Sequence, residues 1–191
     1  MQPNIIVITG GIGSGKSMVS RILRVIGYDV YDCDSRAKAI MGADSEIKRV
    51  ISDDICADAV VDGSINRQRL AEVVFANESL LERLNKVVHS AVRKDIAKWA
   101  ELHSPAFVET AIMYQSGLDR MASQVWEVTA PKYLRIERVM LRSNLTREAV
   151  EQRISVQDSF IPESKHHSVV EVINDGAVAL LPQVEQLLNQ L

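Results

Sequence analysis

Residues Gly10-Gly11-Ile12-Gly13-Ser14-Gly15-Lys16-Ser17 fit G-x-x-x-x-G-K-[ST], the spacing of a phosphate-binding P-loop. Its glycines let the backbone turn tightly and aim several N–H groups into one concavity, which holds an anion. Lys16 is long enough to reach the β- and γ-phosphates of a nucleotide, and the Ser17 hydroxyl is a ligand for Mg²⁺. A second constellation follows in Val30-Tyr31-Asp32-Cys33-Asp34. In an extended segment residues i and i+2 point the same way, so Asp32 and Asp34 would project together. Two carboxylates beside a phosphate site have natural uses: general base toward a hydroxyl nucleophile, and outer-shell partner to Mg²⁺. They also read as turn formers, or as N-caps of a helix beginning near Ser35. Spacing alone leaves these readings open.

The P-loop needs a strand before it and a helix after it, and the sequence supplies both. Ile5–Thr9 is β-branched throughout and bounded by glycine, the pattern of a strand buried on both faces. Val19, Ile22, Leu23 and Ile26 then recur at helical spacing, and Gly27 supplies the stop. The N-terminus of that helix adds unpaired donors and the positive end of its dipole. Further strands are expected at 28–31, 106–109, 125–129 and 169–173. Helices are expected at 35–42, 45–56, 67–75, 77–102, 132–142, from Thr146 onward, and at 177–191 with Pro182 near its start. Asp62-Gly63-Ser64 reads as a break, and no strand is expected between 35 and 104. Strands alternating with helices imply an α/β protein with a parallel five-stranded sheet covered on both faces, its ligand outside the C-terminal strand ends.

A minimal crossover between parallel strands needs only about a dozen residues. The much longer stretch 35–104 therefore reads as an inserted helical subdomain able to grip a second substrate. Residues 143–168 form a shorter polar excursion with Arg147, Arg153, Lys165, His166 and His167, which reads as a mobile lid. The nucleotide-binding core is then 1–34, 105–142 and 169–191.

Composition narrows the function classes. A net charge of −3 gives no support for a nucleic-acid binder, so phosphate recognition must be local. Cys33 and Cys56 are too few for a disulfide framework and fit a reducing cytoplasm. No apolar run is long enough to cross a bilayer, and too few residues precede the first strand for a signal peptide. A cytoplasmic location is expected.

Over nearly its whole length the chain resembles the dephospho-CoA kinase family. The resemblance rests on Thr9 to Ser17, the D-x-D pair Asp32 and Asp34 with Arg36, and the series Gly63, Arg67, Leu70 and Phe75. It continues with Leu84 and His89, the tract Val128-Thr129-Ala130-Pro131 leading to Arg138 and Arg142, Arg153 and Gln157 in the lid, and Ile173-Asn174-Asp175-Gly176. Three positions depart from the family pattern. Met18 stands where threonine is usual, Ser90 where proline follows the histidine, and Ala111-Ile112-Met113-Tyr114-Gln115 replaces P-L-L-x-E.

The resemblance implies a P-loop kinase fold with a helical substrate-binding insertion and a lid. It also implies transfer of the ATP γ-phosphoryl group to the ribose 3′-hydroxyl of dephospho-CoA, with Mg²⁺, giving coenzyme A and ADP. Lys16, Asp34 and Arg142 would be catalytic, with Asp34 the base. Gly11, Ile12, Gly13, Ser14, Gly15, Lys16, Ser17, Met18, Arg138, Arg142 and Asn174 would bind ATP. Asp32, Asp34, Arg36, Arg67, His89 and Glu109 would face the acceptor, Ser17 would bind Mg²⁺, and Asp32 would sit in its outer shell. Without the resemblance, Arg135, Arg138 and Arg142 read as a solvated basic helix face, and His89 as a packed histidine. The expected partners are ATP and dephospho-CoA, with no nucleic acid or membrane, and the chain is expected to be a monomer or weak oligomer. Two other functions compete: another P-loop kinase, for a nucleoside monophosphate or a small alcohol, and a nucleotide-binding switch. The switch reading lacks an N-K-x-D element, since Asn85-Lys86-Val87-Val88 has no aspartate.

Overall fold

The computed structural model describes residues 3–191. Its strands are β1 (Ile5–Thr9), β2 (Val30–Asp32), β3 (Val60–Val61), β4 (Ser64–Ile65), β5 (Ala106–Glu109), β6 (Gln124–Thr129) and β7 (Val169–Ile173). Its α-helices are α1 (Lys16–Ile26), α2 (Cys33–Ala43), α3 (Ser45–Val50), α4 (Arg67–Phe75), α5 (Glu78–Ala100), α6 (Lys132–Ser143), α7 (Arg147–Asp158) and α8 (Leu180–Leu188). The chain forms two compact units, one of residues up to 31 with 99–191, the other of 32–98.

The first unit carries a five-stranded sheet in the order β2-β5-β1-β6-β7. β1 pairs in parallel with β5 on one side and β6 on the other, and β7 continues in parallel beside β6. Because β1 is the middle strand, all five of its residues are buried, the apolar run Ile5–Ile8 and Thr9 alike. Ile6, Ile8, Phe107, Trp126, Val128 and Val172 from the sheet pack with Val19 and Leu23 of α1 and Val184 and Leu187 of α8. A second cluster joins α6 to α7 through Ile136, Val139, Val150 and Ile154, and Ile12 of the P-loop packs against it. The loop thus lies against a helix pair as well as at the end of β1.

The second unit is helical around Ile47, Ile51, Ile55, Cys56, Ala59, Leu70 and Val74, with Leu80, Leu84, Val87 and Val88 of α5 packed on them. Asp44 caps α3 by accepting the N–H groups of Glu46 and Ile47, and Asn66 caps α4 through Arg69 N–H.

Several expected boundaries move, each for a local reason. The second strand is at 30–32, not 28–31, because Gly27 at φ 111 turns the chain out of α1 and the Tyr28 N–H still bonds back to Leu23 O. Residues 35–104 do contain strands: β3 and β4 pair antiparallel across Asp62 (φ 48) and Gly63 (φ 73). An Asp-Gly pair with two positive φ values is a hairpin turn, more than a helix break. The helix expected at 45–56 ends as α3 at Val50, and residues 51–55 form a π-helical turn. The 77–102 helix is α5, from 78 to 100. The last helix starts at Leu180 rather than 177, since Asp175 accepts the N–H groups of Ala177 and Val178 and holds that turn open.

Candidate active site

β1 delivers the P-loop to the first turn of α1, where Gly15 precedes Lys16 in the left-handed conformation at φ 104. Four side chains from distant segments fasten the loop. Asn174, just past β7, donates its side-chain amide to Ser14 O at 2.7 Å. Arg138 of α6 donates to Asn174 O at 3.1 Å, and its other terminal nitrogen lies 3.4 Å from Asn174 Oδ1. Arg135, one helical turn earlier, donates Nε–H to Ile12 O at 3.0 Å. Gln157, near the end of α7, accepts the Ile12 N–H at 2.6 Å. Within the loop, Lys16 Nζ donates to Gly10 O at 2.8 Å and Gly11 O at 3.2 Å. Its ammonium is therefore held against the loop's own backbone.

The remaining residues expected at the nucleotide occupy the same neighbourhood in part. Ser17 and Met18 are exposed on the first turn of α1. Arg138 and Asn174 are joined to the loop, whereas Arg142 lies on an exposed turn of α6. Glu109 ends β5 opposite Ile8 of β1, which places it at the sheet edge from which the loop departs. Among the described residues no group of three His, Cys, Asp or Glu side chains could hold a metal ion. Ser17 presents an exposed neutral hydroxyl on the first turn of α1, which fits a Mg²⁺ ion bound mainly through nucleotide phosphates.

Asp32 and Asp34 do not form the extended pair expected of them, because α2 begins at Cys33 between them. Asp32 is the N-cap of that helix. Its Oδ1 accepts the N–H groups of Asp34 and Ser35 at 3.0 and 3.2 Å, and its Oδ2 accepts the Ser35 hydroxyl at 2.7 Å. Asp34 lies in the first helical turn and is exposed. Elsewhere in the helical unit, Arg36 makes a short ion pair with Asp95 at 2.7 Å, and Arg67 donates to Lys38 O at 3.3 Å. His89 is half-buried on α5, and burial together with the nearby Arg93 charge holds its imidazole below the usual histidine range.

Arg135 reads in the sequence as part of a solvated basic face, but its side chain is 12% exposed and grips the loop. Gln157 enters there only as a lid position of the family resemblance, and Asp158 does not enter at all. Arg135 offers a signal in its three-residue spacing from Arg138 on one helix, and Gln157 in its match to the family's lid; nothing in the P-loop motif specifies what fastens the loop from outside.

Comparison with known proteins adds a family. Residues 4–179 match the sequence profile of a family described as dephospho-CoA kinase. A dephospho-CoA kinase from Porphyromonas gingivalis is 37% identical over 184 residues, covering 95% of this chain and 91% of that protein. A crystal structure of a Thermus thermophilus protein superposes with a TM-score of 0.78 at 34% identity, over 100% of this chain and 99% of that one. The dephospho-CoA kinase from Campylobacter jejuni shares the fold, with a TM-score of 0.69 at 23% identity over 100% and 97% of the two chains.

Proposed function

The chain belongs to the dephospho-CoA kinase family, and from that premise we propose how its residues carry the phosphorylation of dephospho-CoA to coenzyme A. ATP is the phosphoryl donor. The ribose 3′-hydroxyl of dephospho-CoA attacks the γ-phosphorus, the bond from that phosphorus to the β–γ bridging oxygen breaks, and ADP leaves. The hydroxyl proton passes to the Asp34 carboxylate. Phosphoryl transfer asks for positioning and charge stabilisation more than covalent help. The N–H groups of Gly13, Gly15, Lys16 and Ser17 and the Lys16 ammonium supply that stabilisation at the β- and γ-phosphates, with Arg142 adding a second cation. The Ser17 hydroxyl would hold a Mg²⁺ ion bound with the nucleotide, which would supply neutralisation of charge on the phosphate oxygens.

The observation that carries this reading is the fastening of the P-loop through Ser14 and Ile12, which preorganises its N–H groups for phosphate. Asp34 is assigned the base because Asp32 already accepts three hydrogen bonds from the start of α2, while Asp34 is exposed. Arg36, Arg67, His89 and Glu109 are proposed to bind the acceptor, with 35–104 as its subdomain, 143–168 as a lid, and the remaining segments as the ATP core. No helix of the described residues is long and apolar enough to cross a membrane, and Cys33 and Cys56 are not joined in a disulfide. We place the enzyme in the cytoplasm, as a monomer or weak oligomer.

The test is ADP release from Mg-ATP by the purified chain against dephospho-CoA, a panel of nucleoside monophosphates, and shikimate. Turnover with dephospho-CoA above the others is expected. Turnover of another acceptor with dephospho-CoA left intact overturns the assignment.

A further inference from the structure

We propose that Gln157 and Arg135 are positioning residues of the ATP site: they clamp Ile12 from both sides and make the last turn of α7 a part of the donor-binding apparatus. Both backbone polar groups of Ile12 are taken by side chains more than a hundred positions away. The N–H donates to Gln157 Oε1 at 2.6 Å, and the carbonyl accepts Arg135 Nε–H at 3.0 Å. Neither side chain is free to drift. Gln157 Nε2 donates to Ala111 O at 3.2 Å, so each end of its amide faces a backbone partner of the opposite polarity and its orientation is fixed. The two terminal nitrogens of Arg135 bind Asp158 Oδ1 and Oδ2 at 3.1 and 3.2 Å, the bidentate fork that holds a guanidinium in one plane.

Gln157 and Asp158 are consecutive, so one helix end reaches the P-loop twice, once directly and once through Arg135. Val150 and Ile154 of α7, packed on Ile136 and Val139 of α6, seat that helix independently of the clamp. The glycines of the loop fit the same arrangement. A Cβ at Gly13 would strike the backbone carbonyl of Arg135, and a Cβ at Gly11 would strike its guanidinium. Part of the glycine requirement at 11 and 13 is therefore room for Arg135, in addition to room for phosphate.

The clamp should act on ATP and not on the acceptor. Phosphate is bound by N–H groups that must converge, and a loop not held in advance is ordered only as the nucleotide arrives, which weakens binding. Gln157→Leu removes both hydrogen bonds and leaves the Ile12 N–H facing an apolar side chain. Affinity for Mg-ATP should fall about tenfold, the scale of losing one or two net hydrogen bonds. Arg135→Lys keeps a positive charge but loses the fork, and should weaken Mg-ATP binding by about the same factor. Because both variants act through Ile12, their effects on ATP affinity should combine to much less than their product.

The inference rests on ATP binding at residues 11–18, so direct titration with Mg-ATP, without acceptor, is measured first on the wild-type chain. Steady-state KM for each substrate and Tm are then compared among wild type, Gln157→Leu, Arg135→Lys and the double variant. Raised Kd and KM for ATP, with the KM for dephospho-CoA and the Tm little changed, is the expected result. Unchanged ATP affinity in Gln157→Leu, or a parallel rise in both KM values together with a fall in Tm, overturns the clamp while leaving the donor assignment standing. A wild-type chain that binds no Mg-ATP overturns both.

Discussion

Asn174 donates its side-chain amide to the carbonyl of Ser14 at 2.7 Å, tying the turn after the last strand to the phosphate loop 160 positions earlier. The same asparagine receives Arg138 on its backbone carbonyl at 3.1 Å. Asn174→Ala removes the first contact and leaves the second, since the backbone carbonyl remains. A net loss of about 1 kcal/mol, or about fivefold in KM for ATP, is expected. Steady-state kinetics at saturating dephospho-CoA measure it, and an unchanged KM would show that Asn174 only shapes the turn after β7.

Lys16 offers a larger effect on a different quantity. Its ammonium lies against Gly10 O and Gly11 O, on the loop where the phosphates are proposed to bind. A cation placed there stabilises negative charge more in the transition state than in bound ATP. Lys16→Ala should lower kcat by about 10² or more with the circular dichroism spectrum unchanged. Turnover at the wild-type rate contradicts the role given to this side chain.

His89 predicts a pH dependence of stability. Burial, with the Arg93 charge beside it, depresses its folded pKa below the ordinary histidine value. The fold therefore prefers the neutral imidazole. The stabilisation this gives is complete above the unfolded pKa of about 6.5 and is lost as pH falls through the lower folded value. Urea midpoints should drop with acidification more steeply in wild type than in His89→Gln. Coincident curves would assign the acid sensitivity to other groups.

The fold was legible where one physical cause dominates. The β-branched run Ile5–Thr9 announced a strand buried on both faces, and the alternation of strands and helices announced the parallel sheet, because burial on both faces favours near-continuous apolar runs. Element ends were less legible, since side chains set them. Asp32 starts α2 two residues before Ser35 by capping it, and Asp175 delays α8 by capturing two N–H groups. The P-loop was evident from residue types alone, because its glycines and lysine answer to local geometry. The clamp made by Arg135, Gln157 and Asp158 was not, because their contacts to Ile12 and to each other depend on how α6 and α7 pack.

Asp32 and Asp34 separate two functions that the D-x-D spacing leaves entangled. The Asp32 carboxylate accepts two N–H groups and a hydroxyl at the start of α2, so its first duty is to hold the helix. Asparagine caps a helix about as well as aspartate, whereas alanine loses about 1 kcal/mol. Asp32→Asn should therefore keep both stability and most of the activity, and Asp32→Ala should lower stability. Asp34 stands in the first helical turn without that duty, and as the proposed base it must accept the proton of the ribose hydroxyl. Asp34→Asn preserves shape but removes basicity, and should cut kcat by about 10² to 10⁴ with ATP affinity little changed. Thermal melts and single-turnover kinetics on the three variants measure both functions. If Asp32→Asn abolished turnover while Asp34→Asn stayed near wild type, the base would be Asp32, and the cap would be the lesser part of what that residue does.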